Sequence, residues 1–126
     1  MDDLIQHALA QGQLVDITTT GRRSGEPRRI EIAFHPIAGR LFISGMPSHQ
    51  TRAWIHNLAA DPRLTFHLKD SVQADLSGRA RVITDAAERR SILEHVARTW
   101  RRTDVDVMVE RSPLIEVTLD GAEAAA

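Results

Sequence analysis

Three segments with the composition of β-strands follow one another closely in the first part of the chain. Leu14–Thr20 is rich in Val, Ile and Thr, and apolar and polar side chains alternate over residues 30–35, as in a strand with one buried face. A Gly- and Pro-containing loop at 21–27 joins these two segments, and a turn at 36–39 leads to a third strand at Arg40–Ser44. Connections this short favour an antiparallel meander and argue against a doubly wound parallel fold.

Three segments of the sequence have patterns that predict helices. Residues 1–12 predict a short N-terminal helix that ends at Gly12. A second helix is predicted by an apolar stripe, with Ser48 as its N-cap and the Asp-Pro pair at 61–62 as its end; the stripe consists of Ala53, Trp54, Ile55 and Leu58. Asp85 and Glu88 have the spacing of a capping box and predict the start of a third helix.

Three further strands complete the predicted order. They are expected at 64–68, at 73–83 with a bulge or bend at Gly78, and at Leu114–Leu119. The order is helix, three strands, helix, two strands, helix, strand. We therefore predict the α+β class: an antiparallel sheet of about six strands that forms a β-barrel core, with flanking helices.

Length and composition restrict the chain to one domain. The 126 residues match a typical single domain, so we expect one domain over 1–126, with an Ala-rich tail at 121–126 that frays. There is no Cys, which excludes disulfide scaffolds and cysteine nucleophiles. The longest stretches without a charged residue have 12 and 11 residues, well short of the ~20 that a spanning helix needs. We expect a cytoplasmic protein without integral membrane contact.

The usual signatures of side-chain catalysis and metal binding are missing. The sequence has no GxSxG, GxxxxGK[ST], HExxH or GxGxxG, and its six His show no metal-ligand spacing on a helix, so no metal site is expected. The net charge of −1 and only five Phe and Trp residues argue against a nucleic-acid partner.

The informative segment is Thr-Thr-Thr-Gly-Arg-Arg-Ser-Gly-Glu-Pro-Arg at 18–28. Its arginines provide forked donors that match phosphate or carboxylate oxygens. Gly21 and Gly25 permit backbone angles that would turn N–H groups outward together. Such a loop is suited to hold an anion, although its composition is also that of a solvated hairpin turn.

This segment closely resembles the TTTGR[KR]SGxPR signature of the deazaflavin-dependent nitroreductase family. A second segment, with Ser44-Gly45, Trp54 and Asn57 through Leu64, is similar to the family's W-x-x-N-L-x-A-[ND]-P-x-[VL] stretch. The resemblance covers about 14–84 and continues weakly to Leu119. It implies a split β-barrel related to the FMN-binding pyridoxamine-phosphate oxidases.

The resemblance also implies a coenzyme and a site. Family members use reduced coenzyme F-420, a deazaflavin with a phosphodiester and polyglutamate tail, to pass a hydride to a small organic acceptor such as a quinone, an enone or a nitro compound. Ser44 matches a serine that hydrogen-bonds the substrate, and a helix N-terminus near 48–52 would favour a phosphate. The matching cofactor-binding positions are Thr20, Gly21, Arg22, Arg23, Ser24, Arg28, Ser44, Gly45, Met46, Thr51, Arg52, Trp54 and Asn57. Trp54 has helical spacing that is more often typical of core than of a pocket wall.

The chain departs from the family pattern in its last third. Nitro-reducing relatives carry tyrosines there, whereas this chain has no Tyr and offers Trp100 and Met108 within 95–109. Gly45 stands where some relatives carry Lys. These departures argue against nitroimidazole as the acceptor and leave a quinone or an enone.

Two alternatives to an F-420-dependent enzyme remain: an oxidoreductase that binds FMN in place of F-420, and a non-catalytic carrier of F-420 or a flavin. Both a monomer and a homodimer are compatible with the resemblance.

Overall fold

The computed structural model describes residues 2–120. The strands are β1 (Leu14–Thr20), β2 (Pro27–Ile37), β3 (Arg40–Ser44), β4 (Arg63–Lys69), β5 (Gln73–Val82) and β6 (Leu114–Leu119). The helices are α1 (Asp3–Gln11), α2 (Ala53–Ala60), α3 (Ala86–Trp100) and α4 (Val105–Arg111). The predicted frayed tail at 121–126 lies outside the described residues.

The six strands form a closed barrel in the order β1-β2-β3-β6-β5-β4. Each neighbouring pair is antiparallel, and β1 closes the barrel against β4 with Ile17 opposite Phe66. Alternation along the strands sends Val15, Ile17 and Phe34 inward, where each is at most 2% exposed. The prediction of an α+β split barrel with six antiparallel strands is confirmed.

A second apolar cluster lies between the barrel and the pair α3 and α4. Phe42 and Leu114 from the strands contact Leu93, Val96 and Met108 from the helices in this cluster. α3 begins as predicted, because the Asp85 side chain accepts a hydrogen bond from the Glu88 N–H at 2.9 Å.

α4 was not predicted from the sequence. It has seven residues, and the side chain of its N-cap, Asp104, makes no capping hydrogen bond. Neither a long apolar stripe nor a capping signal therefore marks it, and an isolated helix of this length is unstable in water. Its packing against α3 is what holds it in helical form.

The predicted N-cap of α2 is wrong, and of the bulge or bend predicted at Gly78 in β5 the bulge is absent. α2 begins at Ala53 with Arg52 as its N-cap. Ser48 lies four residues before Arg52, and its hydroxyl accepts a hydrogen bond from the Gln50 N–H. The pairing of β5 with β4 runs through Gly78 without an inserted residue, so there is no bulge. Gly78 is needed because a Cβ there would lie 2.7 Å from the Thr118 carbonyl oxygen on β6.

The turn between β2 and β3 is shorter than predicted. β2 continues through Pro36, which pairs with Leu41, and the chain reverses at Ala38 and Gly39. Both turn residues have positive φ, 51° and 77°, as a tight two-residue hairpin requires. Within 2–120, no helix is long and apolar enough to cross a membrane.

Candidate functional site

The arginine loop, residues 21–26, is held by hydrogen bonds within itself. The Gly21 N–H donates to the Glu26 carbonyl and the Gly25 N–H donates to the Gly21 carbonyl, both at 2.8 Å. The Glu26 N–H donates to the Ser24 hydroxyl at 3.1 Å. The N–H groups of both glycines are thus used inside the loop, so outward-pointing N–H groups, which stay a prediction, would come from the other residues of the loop.

Gly21 is required by space rather than by backbone angle. A Cβ at Gly21 would lie 2.7 Å from the Ser24 hydroxyl and 3.2 Å from the Glu26 carbonyl oxygen. Gly25 instead has φ +72°, a conformation that glycine adopts without strain. Glycine is therefore needed at position 21 for lack of space and is favoured at position 25 by the backbone conformation.

Asn57 anchors the arginine loop to α2. Its side-chain oxygen accepts a hydrogen bond from the Arg22 N–H at 3.1 Å, and its amide nitrogen donates to the Thr19 hydroxyl at 3.2 Å. Asn57 is 6% exposed and Thr19 is 2% exposed. The amide thus has the partners expected of a buried polar group, and it positions the loop from inside the protein.

The two arginines of the loop and Arg28 just after it face solvent. Arg22, Arg23 and Arg28 are all exposed. Among residues 2–120, no carboxylate pairs with Arg22 or Arg23, whereas Arg28 lies 4.0 Å from Glu26 and 3.5 Å from the Ser24 hydroxyl. Two guanidinium groups are therefore available to an anion without breaking an ion pair.

A shallow cavity of about 480 Å³ adjoins the loop backbone. Thr20, Gly25 and Pro27 line one side of it, and Arg63 and Arg79 line the other. Arg63 is engaged with Asp61 at 2.8 Å. The arginine loop therefore has a concave surface beside it. Gly25 of the loop lines this surface, whereas Arg22 and Arg23 do not.

A larger cleft of about 590 Å³ lies at the N-terminal end of α2. One wall is the segment 48–52, which brings the predicted residues Thr51 and Arg52; the others are the end of β5 and the 110–114 segment. Arg52 lies five residues before Asn57, which is about 7.5 Å along a helix. The cleft lies at the start of α2 and the arginine loop is anchored at Asn57, a little further along the same helix, so the two regions are neighbours.

Arg89 holds the inner walls of this cleft together. Its guanidinium donates to the carbonyl oxygens of Val109 at 2.8 Å, Ile83 at 2.9 Å and Ser112 at 2.5 Å, with a longer contact to Met108. Burial lowers the pKa of Arg89, but the group stays a cation at neutral pH. One side chain on α3 thereby ties the end of α4 to the end of β5.

The cleft is rich in cations, and one of its lining residues has a buried hydroxyl without a partner among the described residues. Arg111 contacts the His49 ring at the mouth of the cleft, and Glu110 is the only acid among the lining residues. Ser112 is 3% exposed, and its hydroxyl oxygen has no hydrogen-bond partner among the described residues. Sequence reasoning missed all three residues: Arg111 and Ser112 because α4 was not recognised, and Arg89 because its carbonyl partners come from segments that only the fold brings together.

The structure places the predicted serine in the interior. Ser44 is fully buried, and its hydroxyl donates to the Pro113 carbonyl at 2.9 Å. Gly45 beside it is buried, and a Cβ there would meet the Pro113 ring at 3.1 Å. Ser44 thus joins β3 to the start of β6, and its hydroxyl proton is not offered to a substrate.

Met46 and Trp54 lie in contrasting surroundings. Met46 is 52% exposed; its carbonyl accepts a hydrogen bond from Arg52, and its sulfur lies 3.3 Å from an Arg102 nitrogen. Trp54 is 7% exposed and belongs to the core cluster of the barrel. The core interpretation of Trp54 is therefore the one the geometry favours.

The sequence matches the family model described as F420H(2)-dependent quinone reductase over residues 4–120. The chain belongs to this family. As a member of the F420H(2)-dependent quinone reductase family it is an F420-dependent oxidoreductase, which confirms the deazaflavin assignment made from the motifs. No curated protein is matched by the sequence.

Solved structures agree with the fold of this quinone reductase family member. The conserved hypothetical protein Rv2991 from Mycobacterium tuberculosis has a TM-score of 0.72 and 18% identity, over 95% of this chain and 81% of that one. A protein described as a putative pyridoxamine 5'-phosphate oxidase from Listeria innocua gives 0.66 and 15%, over 94% and 92%. A protein described as F420-H2 dependent reductase (FDR-A) gives 0.59 and 20%, over 83% and 93%.

The residues present fit F420. Its tail carries phosphate and carboxylate groups, and the exposed Arg22 and Arg23 guanidiniums have no carboxylate partner among the described residues. The cleft of about 590 Å³ has the size of a small-molecule site, and the unpartnered Ser112 hydroxyl lies in its lining. Within residues 2–120, no cluster of three or more metal-ligating side chains occurs.

Proposed function

We propose that this protein catalyses hydride transfer from reduced F420 to a quinone or a related enone. The family match over residues 4–120 is the observation that carries this proposal. When bound, F420 supplies the hydride, so the protein needs no nucleophile or acid–base pair of its own. Nitro-reducing relatives line their substrate pocket with tyrosines. Because this chain has no tyrosine, a quinone or an enone is favoured as the acceptor over a nitro compound.

We propose that the arginine loop holds the acidic tail of the coenzyme. Arg22, Arg23 and Arg28 supply the positive charge, and Ser24 adds a hydroxyl that already contacts Arg28. Asn57 acts through the loop rather than on the coenzyme, because both of its polar atoms bind protein groups. Thr20 and Gly21 shape the base of the loop, where the Gly21 N–H bonds to Glu26.

We propose that the cleft at the start of α2 accommodates the ring end of the coenzyme. Thr51 and Arg52 line it directly, and Met46 stands beside it through its hydrogen bond from Arg52. Ser44, Gly45 and Trp54 support this region from the interior. Holding the ring in a partly enclosed cleft would exclude water and orient the hydride donor toward the acceptor.

The coenzyme assignment is tested by titrating the protein with F420 and with FMN while following coenzyme fluorescence. We expect F420 to bind more tightly, because the single phosphate of FMN uses fewer of the available arginines. Arg22→Ala and Arg28→Ala are each expected to weaken F420 binding by ~1–3 kcal/mol, about fivefold to 150-fold, through loss of a charge-assisted contact.

Arg29→Ala is the matched control for these variants. Arg29 lies next to Arg28 but pairs with Asp16 at 2.9 Å on the outer face of the barrel, so its removal should leave F420 affinity unchanged. Equal affinity in all three variants and the unaltered protein would refute the placement of the tail. Tighter binding of FMN than of F420 would refute the coenzyme assignment.

Enzyme and carrier are distinguished by turnover. Reduced F420 is mixed with a catalytic amount of protein and a set of quinones and enones, and reoxidation of the coenzyme is recorded by absorbance. We expect multiple turnovers with at least one acceptor of these classes. Tight binding of F420 without turnover of any acceptor would favour the carrier function instead.

A further inference from the structure

The cleft at the start of α2 has an excess of basic side chains. Its lining contains one acid, Glu110, and four basic residues: His49, Arg52, Arg89 and Arg111. Within residues 2–120, none of these three arginines forms an ion pair with a carboxylate; their hydrogen bonds go to carbonyl oxygens and to a histidine ring. Like charges gathered without counter-charges repel one another, so this cleft is suited to an anion.

Two of the three arginines already have a task. Arg89 is used by the fold, because its guanidinium donates to carbonyl oxygens of the inner walls. Arg52 donates to the Met46 carbonyl at 3.1 Å. It is the N-cap of α2, the helix that also anchors the arginine loop through Asn57. Arg52 therefore stands beside the proposed coenzyme site, and Arg111 is the arginine without an assigned role.

Arg111 is held at the mouth of the cleft by the segment 48–52. Its carbonyl oxygen accepts a hydrogen bond from the Ser48 N–H at 3.1 Å, and its guanidinium contacts the Nδ1 of His49. A guanidinium can only donate, so Nδ1 accepts in this contact and the ring proton of His49 lies on Nε2. Because Arg111 and His49 are both exposed, their remaining N–H groups are available to a ligand.

The cleft also has apolar walls. Ile55, Ile83 and Leu114 belong to its lining, and each is at most 9% exposed. Apolar surface next to a few polar groups is the usual composition of a site for a small organic molecule. A guanidinium matches the paired oxygens of an acidic group. The combination fits a flat ring that carries an acidic substituent.

We propose that the hydride acceptor is a quinone or an enone that carries an anionic group, a carboxylate or a sulfonate, and that Arg111 and His49 bind this group. The inference rests on the proposed function, since it names the acceptor class for the same cleft. An acceptor held there lies against the coenzyme ring that we place in the cleft, as hydride transfer requires. The acceptor gains one hydride and one proton, both of which reduced F420 loses.

Calorimetric titration tests the binding separately from turnover, with oxidised F420 present and without it. The probe is 1,4-naphthoquinone-2-sulfonate, and the comparison compound is menadione, an uncharged naphthoquinone. The chain has no Cys, so covalent thiol adducts do not interfere. We expect the sulfonate to bind at least tenfold more tightly than menadione in both titrations. Added salt should weaken the binding of the sulfonate and not that of menadione.

Variants connect this preference to Arg111. Arg111→Gln is expected to weaken sulfonate binding at least tenfold, a loss at least fivefold larger than the loss for menadione. Arg111→Lys keeps the charge without the planar fork, so its sulfonate affinity should lie between those of Arg111→Gln and the unaltered protein. Thermal unfolding checks that each variant is folded.

Arg98→Gln is the matched control, because it removes the same charge elsewhere. Arg98 is an exposed arginine of α3 that also contacts a histidine ring, that of His95, and it does not line the cleft. Both naphthoquinones should bind to Arg98→Gln as they do to the unaltered protein. In steady-state kinetics with reduced F420, KM for the sulfonate should rise at least tenfold in Arg111→Gln and stay unchanged in Arg98→Gln.

Two results would overturn the proposal. The first is menadione affinity equal to or greater than sulfonate affinity in the unaltered protein. The second is F420 affinity that falls in Arg111→Gln as much as sulfonate affinity does, which would assign Arg111 to an acidic group of the coenzyme.

The experiments separate this inference from the proposed function. Turnover of menadione by reduced F420 without any preference for the sulfonate would refute the inference and leave the proposed function intact. Failure of F420 to bind would refute the proposed function, whereas the sulfonate preference is still measured in the titration without coenzyme.

Discussion

Asn57 joins α2, β1 and the arginine loop through a single amide group. Its oxygen and nitrogen each bind a different partner, the Arg22 N–H and the Thr19 hydroxyl. Because Thr19 and Asn57 are both buried, removing the amide leaves the Thr19 hydroxyl without its partner at a site shielded from water. The Asn57 amide thereby holds the Arg22 backbone from inside the protein.

Asn57→Ala is expected to lower the free energy of unfolding by ~1–3 kcal/mol, because the buried Thr19 hydroxyl loses its partner. F420 affinity should fall as well, since the Arg22 backbone is no longer held. Urea unfolding and fluorescence titration measure the two effects. The control is His56→Ala at an exposed position of α2, where a change within about 0.5 kcal/mol is expected; equal losses in both variants would contradict the anchoring role.

His35 makes the stability of the protein dependent on pH. Its pKa is about 4 in the folded protein, below the ordinary value of 6.5, mainly because burial disfavours the charged ring. The unfolded chain therefore takes up this proton at a higher pH than the folded one, and stability falls as the pH decreases from about 6.5 to about 4. The contribution is fully present above this window.

In urea unfolding between pH 7 and pH 4.5, His35→Leu should show a flatter decline of stability than the unaltered protein. One proton accounts for a slope of at most about 1.4 kcal/mol per pH unit. Asp61, whose pKa is lowered to about 2 by Arg63, loses its contribution only below this range. Parallel slopes in the two proteins would contradict a buried neutral His35.

α4 depends on its neighbours. It has seven residues and lacks a side-chain N-cap, so it cannot persist by itself. Met108 packs into the cluster beneath α3, and Arg89 binds the carbonyls of Val109 and Ser112 at its C-terminal end. Because the same segment lines the cleft, the shape of the cleft depends on one arginine of α3.

Arg89→Met is expected to destabilise the protein by about 2 kcal/mol or more, because several charged-donor hydrogen bonds to buried carbonyls are lost. Hydrogen exchange of the amides at 108–112 should accelerate more than that of the barrel strands. Arg90→Met is the matched control, since among residues 2–120 Arg90 makes one ion pair, with the exposed Asp106 of α4, and an exposed pair contributes little. Equal exchange rates in the two variants would show that Arg89 does not hold α4.

The closed barrel carries the site on its outside. Strand pairing continues around all six strands, which removes the unpaired sheet edges that favour aggregation. The arginine loop follows β1, and the cleft lies between α2, β5 and α4. The barrel therefore supports two neighbouring surface regions, which we propose to hold the two ends of one coenzyme.

Binding of F420 to the folded protein should stabilise the whole domain. With free F420 at a hundred times its Kd, the free energy of unfolding is expected to rise by ~2.7 kcal/mol. Thermal unfolding at fixed protein concentration measures this as an increase in Tm. Arg22→Ala should show a smaller increase at the same F420 concentration, and an increase with FMN as large as that with F420 would contradict the coenzyme preference.

Local pattern was sufficient for the strands, for α1 and α3, and for the family assignment. Alternation in β1, the capping pair of Asp85 and Glu88, and the 18–28 motif are carried by neighbouring residues, so the sequence alone determines them. The cleft, the helix α4 and the burial of His35 arise from contacts between distant segments. Only the tertiary structure decides those features, because burial and partner choice depend on which elements the closed barrel brings together.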